Sequence, residues 1–492
     1  MNLSTTVGSC QSLTSTSNRS IMDSDGNKLH VVMFPWLGFG HMIPFLELAK
    51  SIAVRGHKVS FISTPRNIQR LPRLPPNLAT HIHFVPLTLP NVHGLPHNAE
   101  ATMDVRGDQI QYLKIAFDGL ETDLTRFLYN SSPDWILHDF LPYWLLPIAA
   151  KLNISCAFFS IINAWFIGFF GPTSGLIDGS HPRTEPEHFT VPPEWVRFPT
   201  KVAYRLHETP FIMGAFEPNE LGVSDMYRVG MTYAGIDAFF MRHCEEFEPE
   251  WLNVLRELYG KPVIPVGLMP PTVQDSGEER NEAWVSISEL LGKQKKGSVV
   301  YVALGSEVTL SQEQLTELAL GLEQSGLPFF WALRKPPGLD ESDSVELPVG
   351  FEERTRGRGV IWTGWAPQLR VLGHDSVGGF LTHCGWSSII EGLKFGLPLI
   401  MLPFVVDQGL NARVFEDKKV GIEIPRDERD GSFTRNSVAE SVRLVMVDGE
   451  GTIYRDNAWE MKKIFGDKEG QDRYIEPFLE FLEKHRRVLE DS

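Results

Sequence analysis

The amino-acid sequence predicts an α/β protein built from two doubly wound parallel-sheet domains. Three observations carry that reading. Strand-like apolar runs alternate with helix-periodic runs along the chain, the pattern of parallel sheets with crossover helices. The alternation breaks at "VGLMPPTVQDSGEERNEAW", Val266 to Trp284, which is Pro-rich and then acidic as a linker is, and it starts again afterwards. The length of 492 residues accommodates two or three domains with sizeable cores.

Before the linker, strands are expected at "LHVVMFP", "KVSFIST" (Lys58 to Thr64), "HIHFVPL" (His81 to Leu87), "DWILHD" (Asp134 to Asp139) and "CAFFSI". Between the first two, "MIPFLELAKSIAVRG" has apolar residues at helical spacing and a glycine stop. After the linker come "SVVYVALGS" (Ser298 to Ser306), the helical "SQEQLTELALGLEQSG", then "PFFWALR", "VIWTGW", "VGGFLTH" (Val377 to His383) and "PLIMLP". The expected boundaries are a disordered tail over 1–27, a first domain over 28–260, a second over 261–460, and a C-terminal segment over 461–492. The helical "DRYIEPFLEFLEKHRRVLE" in that segment is expected to pack back on the first domain. Met22 is an alternative to Met1 as the start of translation, because "MDSDGNKLH" leads directly into the first strand.

Composition narrows the function. A formal charge of −16 argues against nucleic acid or anionic membrane as a partner, since both need basic surface. Cys10, Cys156, Cys244 and Cys384 are far apart, which suggests neither a disulfide framework nor a zinc site and fits a reduced cytoplasmic protein. The tail lacks the apolar core of a signal peptide. Ile154 to Ile177 is uncharged and long enough to cross a bilayer, but Ser155, Ser160, Asn163, Gly168, Gly171 and Pro172 interrupt it. Its place in the strand–helix rhythm marks it as a fully buried parallel strand, which reads as a continuous apolar run, and not as a transmembrane segment.

In doubly wound sheets, ligands bind outside the carboxyl ends of the strands. The first strand runs into Gly38-Phe39-Gly40-His41. The glycine pair begins a dinucleotide fingerprint, but Ile43 holds the third glycine's position and the next strand ends without an acidic residue, so a nicotinamide or flavin cofactor is not supported. The glycines let the backbone turn closely, and His41 falls in the first turn of a helix. The dipole there favours a neutral imidazole able to accept a proton. Asp139 ends a strand of the same sheet. It either orients that imidazole, as in acyl-transfer triads, or caps the helix of "LPYWLLPIAAKL". The residues alone leave both open.

The second half is more specific. "WAPQLRVLGHDSVGGFLTHCGWSSIIEGLKFGLPLIMLPFVVDQ", Trp365 to Gln408, closely resembles the donor-binding signature of plant family 1 uridine-diphosphate-dependent glycosyltransferases. The opening Trp-Ala-Pro-Gln, the central His-Cys-Gly-Trp, the Glu eight residues after that His and the closing Asp-Gln all match. The early Gly-His-x-x-Pro, the post-strand aspartate and "VALGSE" fall where the family has its counterparts. "STPRNIQRLP" and "FEERTRGRG" further resemble the subgroup that adds a sugar to a sugar already on a plant glycoside.

The resemblance implies the GT-B fold, with an N-terminal acceptor domain facing a C-terminal UDP-sugar domain. It implies that Trp365 stacks on uracil, that the Ala366 backbone reads the uracil edge, and that Gln368 lies near the nucleoside. His383, Ser306, Ser387 and Ser388 are expected near the diphosphate, beside Trp386 at the start of a helix whose free amides suit an anion. Glu391, one turn on, is expected to take both ribose hydroxyls, while Asp407 and Gln408 hold the sugar. Ser387 stands where the family usually has Asn, so a direct contact there is lost or bridged by water. "GWSSI" approximates a hydrolase nucleophile elbow, but Ile389 would crowd that turn. The only Asp-x-Asp near a strand is Asp23-Ser24-Asp25 in the tail, so no metal or other cofactor is expected.

The expected activity is inverting sugar transfer by a monomer from a UDP-sugar, with glucose favoured by Gln408, to a hydroxyl of a small-molecule glycoside. His41 is the base and Asp139 its orienter. Rhamnosyl or xylosyl transfer and glucosylation of a simple aglycone are the alternatives. The aromatic segment Trp165 to Phe211 (Trp165, Phe166, Phe169, Phe170, Trp195, Phe198, Tyr204, Phe211) either receives an apolar aglycone or packs a core, two readings that look the same in the sequence.

Overall fold

The computed structural model describes residues 28–271, 282–334 and 346–487. The tail over 1–27, with Cys10 and its Asp-x-Asp, and the middle of the linker lie outside the described residues. The first half forms β1 (His30–Phe34), β2 (Lys58–Ser63), β3 (Ile82–Pro86), β4 (Trp135–His138), β5 (Ser155–Ser160), β6 (Ala238–Met241) and β7 (Val263–Pro265). They pair in the order β3-β2-β1-β4-β5-β6-β7, every pair parallel. The second half forms β8 (Val299–Ala303), β9 (Phe329–Ala332), β10 (Gly359–Trp362), β11 (Val377–Thr382), β12 (Leu399–Met401) and β13 (Gly421–Glu423), in the parallel order β10-β9-β8-β11-β12-β13. The sequence reading missed β6, β7 and β13. Each is only three or four residues long.

Residues alternate between two faces along each strand, and here each face feeds a different core. Val31 and Met33 of β1 join the cluster on the outer face of the first sheet, whereas Val32 and Phe34 join the inner one. In β8, Val300 and Val302 face the outer core of the second sheet, while Val299, Tyr301 and Ala303 face inward. The inner cluster is continuous between the domains: Trp165 meets Trp386 edge-on at 5.2 Å, and Phe247 stacks on Phe415 at 5.3 Å.

The chain crosses back at its end. Helix Ile475–His485 buries Ile475, Phe478, Leu479 and Leu482, an i, i+3, i+4, i+7 stripe, in the outer core of the first sheet. The Trp135 indole N–H donates to the Leu482 carbonyl at 2.9 Å, and Phe478 packs edge-on against Phe240 at 4.7 Å. The uncharged stretch from Ile154 becomes β5 and two short helices, Ala164–Phe169 and Thr173–Asp178. Among the described residues no helix is long and apolar enough to cross a membrane.

Candidate active site

Each sheet reverses its strand order once, between β1 and β4 in the first and between β8 and β11 in the second. Such switch points open a crevice at the carboxyl ends of the strands. His41 and Asp139 lie beyond β1 and β4, and Ser306 and His383 lie beyond β8 and β11.

His41 is the third residue of helix Phe39–Val54. Its Nδ1 lies 2.6 Å from Asp139 Oδ2. That carboxylate is held in turn by the Trp36 N–H at 3.2 Å and, on Oδ1, by the Phe140 N–H at 2.8 Å. The next helix begins only at Leu145, so Asp139 caps none, and of the two readings the geometry fits the orienting one. The His41 ring stays 17 % exposed, with Nε2 free of protein partners among the described residues. Gly38 and Gly40 differ in what they meet. Neither adopts a positive φ, and a Cβ on Gly40 would meet nothing within 4 Å, whereas one on Gly38 would come within 3.3 Å of the His41 ring and of Thr102 Oγ1, so the close approach needs a glycine at 38 alone.

The electrostatics also differ from the expectation of a dipole-suppressed imidazole. Burial pushes the His41 pKa down, but the charge and hydrogen bond of Asp139, helped by Glu307 and Asp407, outweigh burial and raise it above 6.5. The pair therefore stabilises the fold fully below pH 6.5, and this contribution is lost as pH rises through the folded pKa. Glu307, beyond Ser306, accepts a hydrogen bond from Thr102 Oγ1 at 2.9 Å, so the two domains touch directly over His41.

On the opposite wall the strand-to-helix turn after β11 is tight. Cys384 has φ +68°, its N–H bonds to Thr382 Oγ1 at 3.2 Å, and helix Trp386–Lys394 starts from Gly385. The His383 ring lies under two glycines. A Cβ would come within 2.7 Å of its Nε2 at Gly305, where φ is +77°, and within 2.5 Å at Gly385. Burial pushes the His383 pKa down to about 4, so the imidazole is neutral at physiological pH. Its Nδ1 is buried without a hydrogen-bond partner.

Glu391 does not keep both oxygens free: Oε2 accepts from Gln368 Nε2 at 2.7 Å. The same amide nitrogen lies 3.4 Å from Ser388 Oγ, and Gln368 Oε1 accepts from Tyr301 at 3.3 Å. Burial raises the Glu391 pKa and takes that of Asp407 up to about 6. Asp407 accepts from Asn411 Nδ2 at 2.7 Å. Gln408 Oε1 accepts the N–H groups of Phe404 and Val405 at 2.9 and 3.1 Å, which leaves its amide protons for other partners. Trp365 is 58 % exposed, a flat ring open to solvent, with Ala366 half-buried beside it.

Trp386 stands at the start of its helix, as expected. Its indole is 3 % exposed, donates to the Arg242 carbonyl at 2.9 Å and packs among Trp165, Phe415 and Phe465, so only its backbone can meet a ligand. In the aromatic segment the core-packing reading holds for four of the eight rings, while Phe166, Trp195 and Phe198 are half-buried. Trp165, Phe169, Phe170 and Tyr204 are buried in the inner core. The polar atoms of Trp165, Trp195 and Tyr204 are already used on Asn411, the Gly168 carbonyl and the Val406 carbonyl. Phe211 is exposed.

Sequence reasoning missed Thr102, Arg242, Glu307 and Asn411. Asn411, fully buried, makes four bonds: Oδ1 accepts from Asn163 at 2.6 Å and Trp165 at 2.8 Å, while Nδ2 donates to the Cys384 carbonyl and Asp407. The one sequence signal was its position one helical turn after Asp407.

The chain as a whole is similar to known proteins. The family described as "UDP-glucoronosyl and UDP-glucosyl transferase" matches residues 268–486. UDP-glycosyltransferase 91D1 of Stevia rebaudiana is 54% identical, over 96% of this chain and 95% of its own. The anthocyanidin-3-O-glucoside rhamnosyltransferase of Petunia hybrida is 34% identical, over 92% and 96%. The structure of Phytolacca americana UGT2 with UDP-2-fluoro-glucose and pterostilbene superposes with a TM-score of 0.68 at 25% identity, covering 93% of this chain and all of that one. Similarity of this extent takes in both sheets and the crevice between them. The chain belongs to the plant family 1 UDP-glycosyltransferases: it has the GT-B fold, and it is a hexosyltransferase that takes its sugar from a UDP-sugar.

Proposed function

We propose that the protein transfers glucose from UDP-glucose, with inversion and without a metal, to a sugar hydroxyl of a terpenoid or flavonoid glycoside. The observation that carries this reading is the His41–Asp139 pair at 2.6 Å, facing the donor-domain switch point with Nε2 unengaged. Asp139 accepts a hydrogen bond from Nδ1–H, which fixes the tautomer and leaves Nε2 as the acceptor for the hydroxyl proton. The acceptor oxygen forms a bond to the anomeric carbon as the bond from that carbon to the diphosphate breaks. The electron pair leaves with UDP and the proton stays on His41, where Asp139 stabilises the imidazolium. His383, Ser306, Ser387, Ser388 and the amides at the start of helix Trp386–Lys394 receive the diphosphate. Glu391, turned by Gln368, receives the ribose, Trp365 the uracil, and Asp407 with Gln408 the sugar.

The raised His41 pKa sets the acidic limb of the rate profile. Activity falls as pH drops through that pKa, because the imidazolium cannot accept a proton. Asp139→Asn removes the strongest of the groups that raise it and leaves burial opposed only by Glu307 and Asp407, so the limb moves to lower pH while kcat falls. An unmoved limb in a kcat–pH profile counts against the pairing. Among the described residues no cluster of three or more His, Cys, Asp or Glu is placed to hold a metal. Treatment with EDTA is expected to leave turnover unchanged, and loss restored by a divalent cation contradicts the metal-independent reading.

The Petunia relative, named as a rhamnosyltransferase acting on a glucoside, favours sugar-on-sugar transfer and gives rhamnose as the second reading for the donor. Mass-spectrometric assay with UDP-glucose, UDP-rhamnose and UDP-xylose, against flavonoid and terpenoid aglycones and their monoglucosides, separates these. Product from monoglucosides alone supports the proposal, whereas product from aglycones overturns its acceptor.

A further inference from the structure

Four arginines are buried among the described residues: Arg183, Arg228, Arg242 and Arg413. Two of them are paired with carboxylates, and a third, Arg183, rests on aromatic faces. Arg228 is paired with Asp118, and Arg413 bridges Glu208 and Glu423. Arg183 gives its protons to the carbonyls of Phe169, His188 and Val191 and lies against the Phe169 and Phe189 rings. Arg242 is different. Its Nε donates to the Leu268 carbonyl at 2.9 Å and its Nη1 to Ser387 Oγ at 2.6 Å, both neutral acceptors. Among the described residues Nη2 has no protein partner, and no carboxylate reaches the guanidinium at ion-pair distance.

A buried cation held by neutral groups alone is costly, and the cost is relieved when an anion arrives. Burial takes the Arg242 pKa down to about 10, with Glu391 and Glu47 acting only from longer range. It therefore remains charged near neutral pH. Its location indicates the anion. Arg242 follows β6 in the first domain, yet its anchor Ser387 is the second residue of the nine-residue helix Trp386–Lys394 in the second. Thus a full positive charge from one domain sits at the free-amide end of a helix in the other. Ser387 takes on a role as well. Its hydroxyl, in place of the family's usual Asn, is the acceptor that ties the guanidinium to this helix.

We propose that Arg242 is a donor-binding residue that lays its guanidinium on the diphosphate of the UDP-sugar, with Ser387 as the anchor that holds it there. This rests on the reading of Trp365 to Gln408 as the UDP-sugar site. As the bond from the anomeric carbon to the diphosphate oxygen breaks, the electron pair passes to that oxygen, and Arg242 stabilises the charge that accumulates on it. The contact also crosses the crevice, so donor binding draws on both domains.

The test is calorimetric titration of the full chain and of Arg242→Gln with UDP and, separately, with uridine. The expected result is a loss of about ten- to hundredfold in UDP affinity, the range for a charge-assisted contact, with uridine affinity unchanged. Equal losses for both ligands mean a structural role and overturn the proposal, as does unchanged UDP affinity. If Arg242→Gln does not fold, Arg242→Lys is used, where a smaller loss confined to UDP is expected and a loss shared with uridine overturns it. Failure of the unmodified chain to bind UDP at all overturns the donor-site reading and this proposal with it.

Discussion

His41→Ala is expected to reduce kcat by about two to four orders of magnitude while leaving UDP affinity unchanged, the signature of a lost general base. The separation of the two effects follows from the geometry. His41 hangs from the first sheet and bonds only to Asp139 of that sheet, while Ser306, His383, Glu391 and Gln408 belong to the second. Removing the imidazole therefore leaves every group on the opposite wall where it was. Steady-state kinetics combined with UDP titration decides the matter. A parallel collapse of both quantities would assign His41 to architecture and remove the catalytic reading.

The largest expected effect on stability comes from Asn411. Substitution by Ala removes four hydrogen bonds and strands the Asn163 amide and the Trp165 indole N–H inside the inner core. A net hydrogen bond contributes about 1 kcal/mol, and each buried group left unmade costs about 1–3 kcal/mol, so the summed loss is about 3–4 kcal/mol after partial relaxation. The midpoint of urea unfolding reports it. A loss below about 1 kcal/mol would show that water takes over these partners. The same variant frees the Cys384 carbonyl and Asp407, so donor binding is expected to weaken even in molecules that remain folded.

How much of this was legible in the sequence depended on the range of the interactions. Strands such as "VVYVA" and "VGGFLT" are long, apolar and followed by chemistry, so the strand tips carrying Ser306 and His383 could be placed from the letters alone. His41 and Asp139 were legible as a possible pair because both follow strands that register side by side, with Phe34 opposite His138. Side-chain orientation was not legible. "HCGW" says nothing of which way Trp386 turns, and the structure sends it into the core against Trp165. Trp165, Phe169 and Tyr204 stayed open between aglycone surface and core for the same reason, since an aromatic run reads alike whether it lines a pocket or fills one. The contacts of Asn411 with Asn163 and of Arg242 with Ser387 span 248 and 145 residues, and no local pattern encodes a partner at such distance.

The return of helix Ile475–His485 to the first sheet bears on how such enzymes can be recombined. The linker looks like the natural joint at which to exchange acceptor and donor halves between relatives. Yet the last helix belongs by sequence to one half and by packing to the other, with Phe478 and Leu482 seated on Phe240 and Trp135. A chimera cut only at the linker therefore inherits a mismatched seam on the far side of the first sheet. Exchanges that carry this helix together with the N-terminal half keep the seam native, and these are the hybrids expected to be recovered as folded protein.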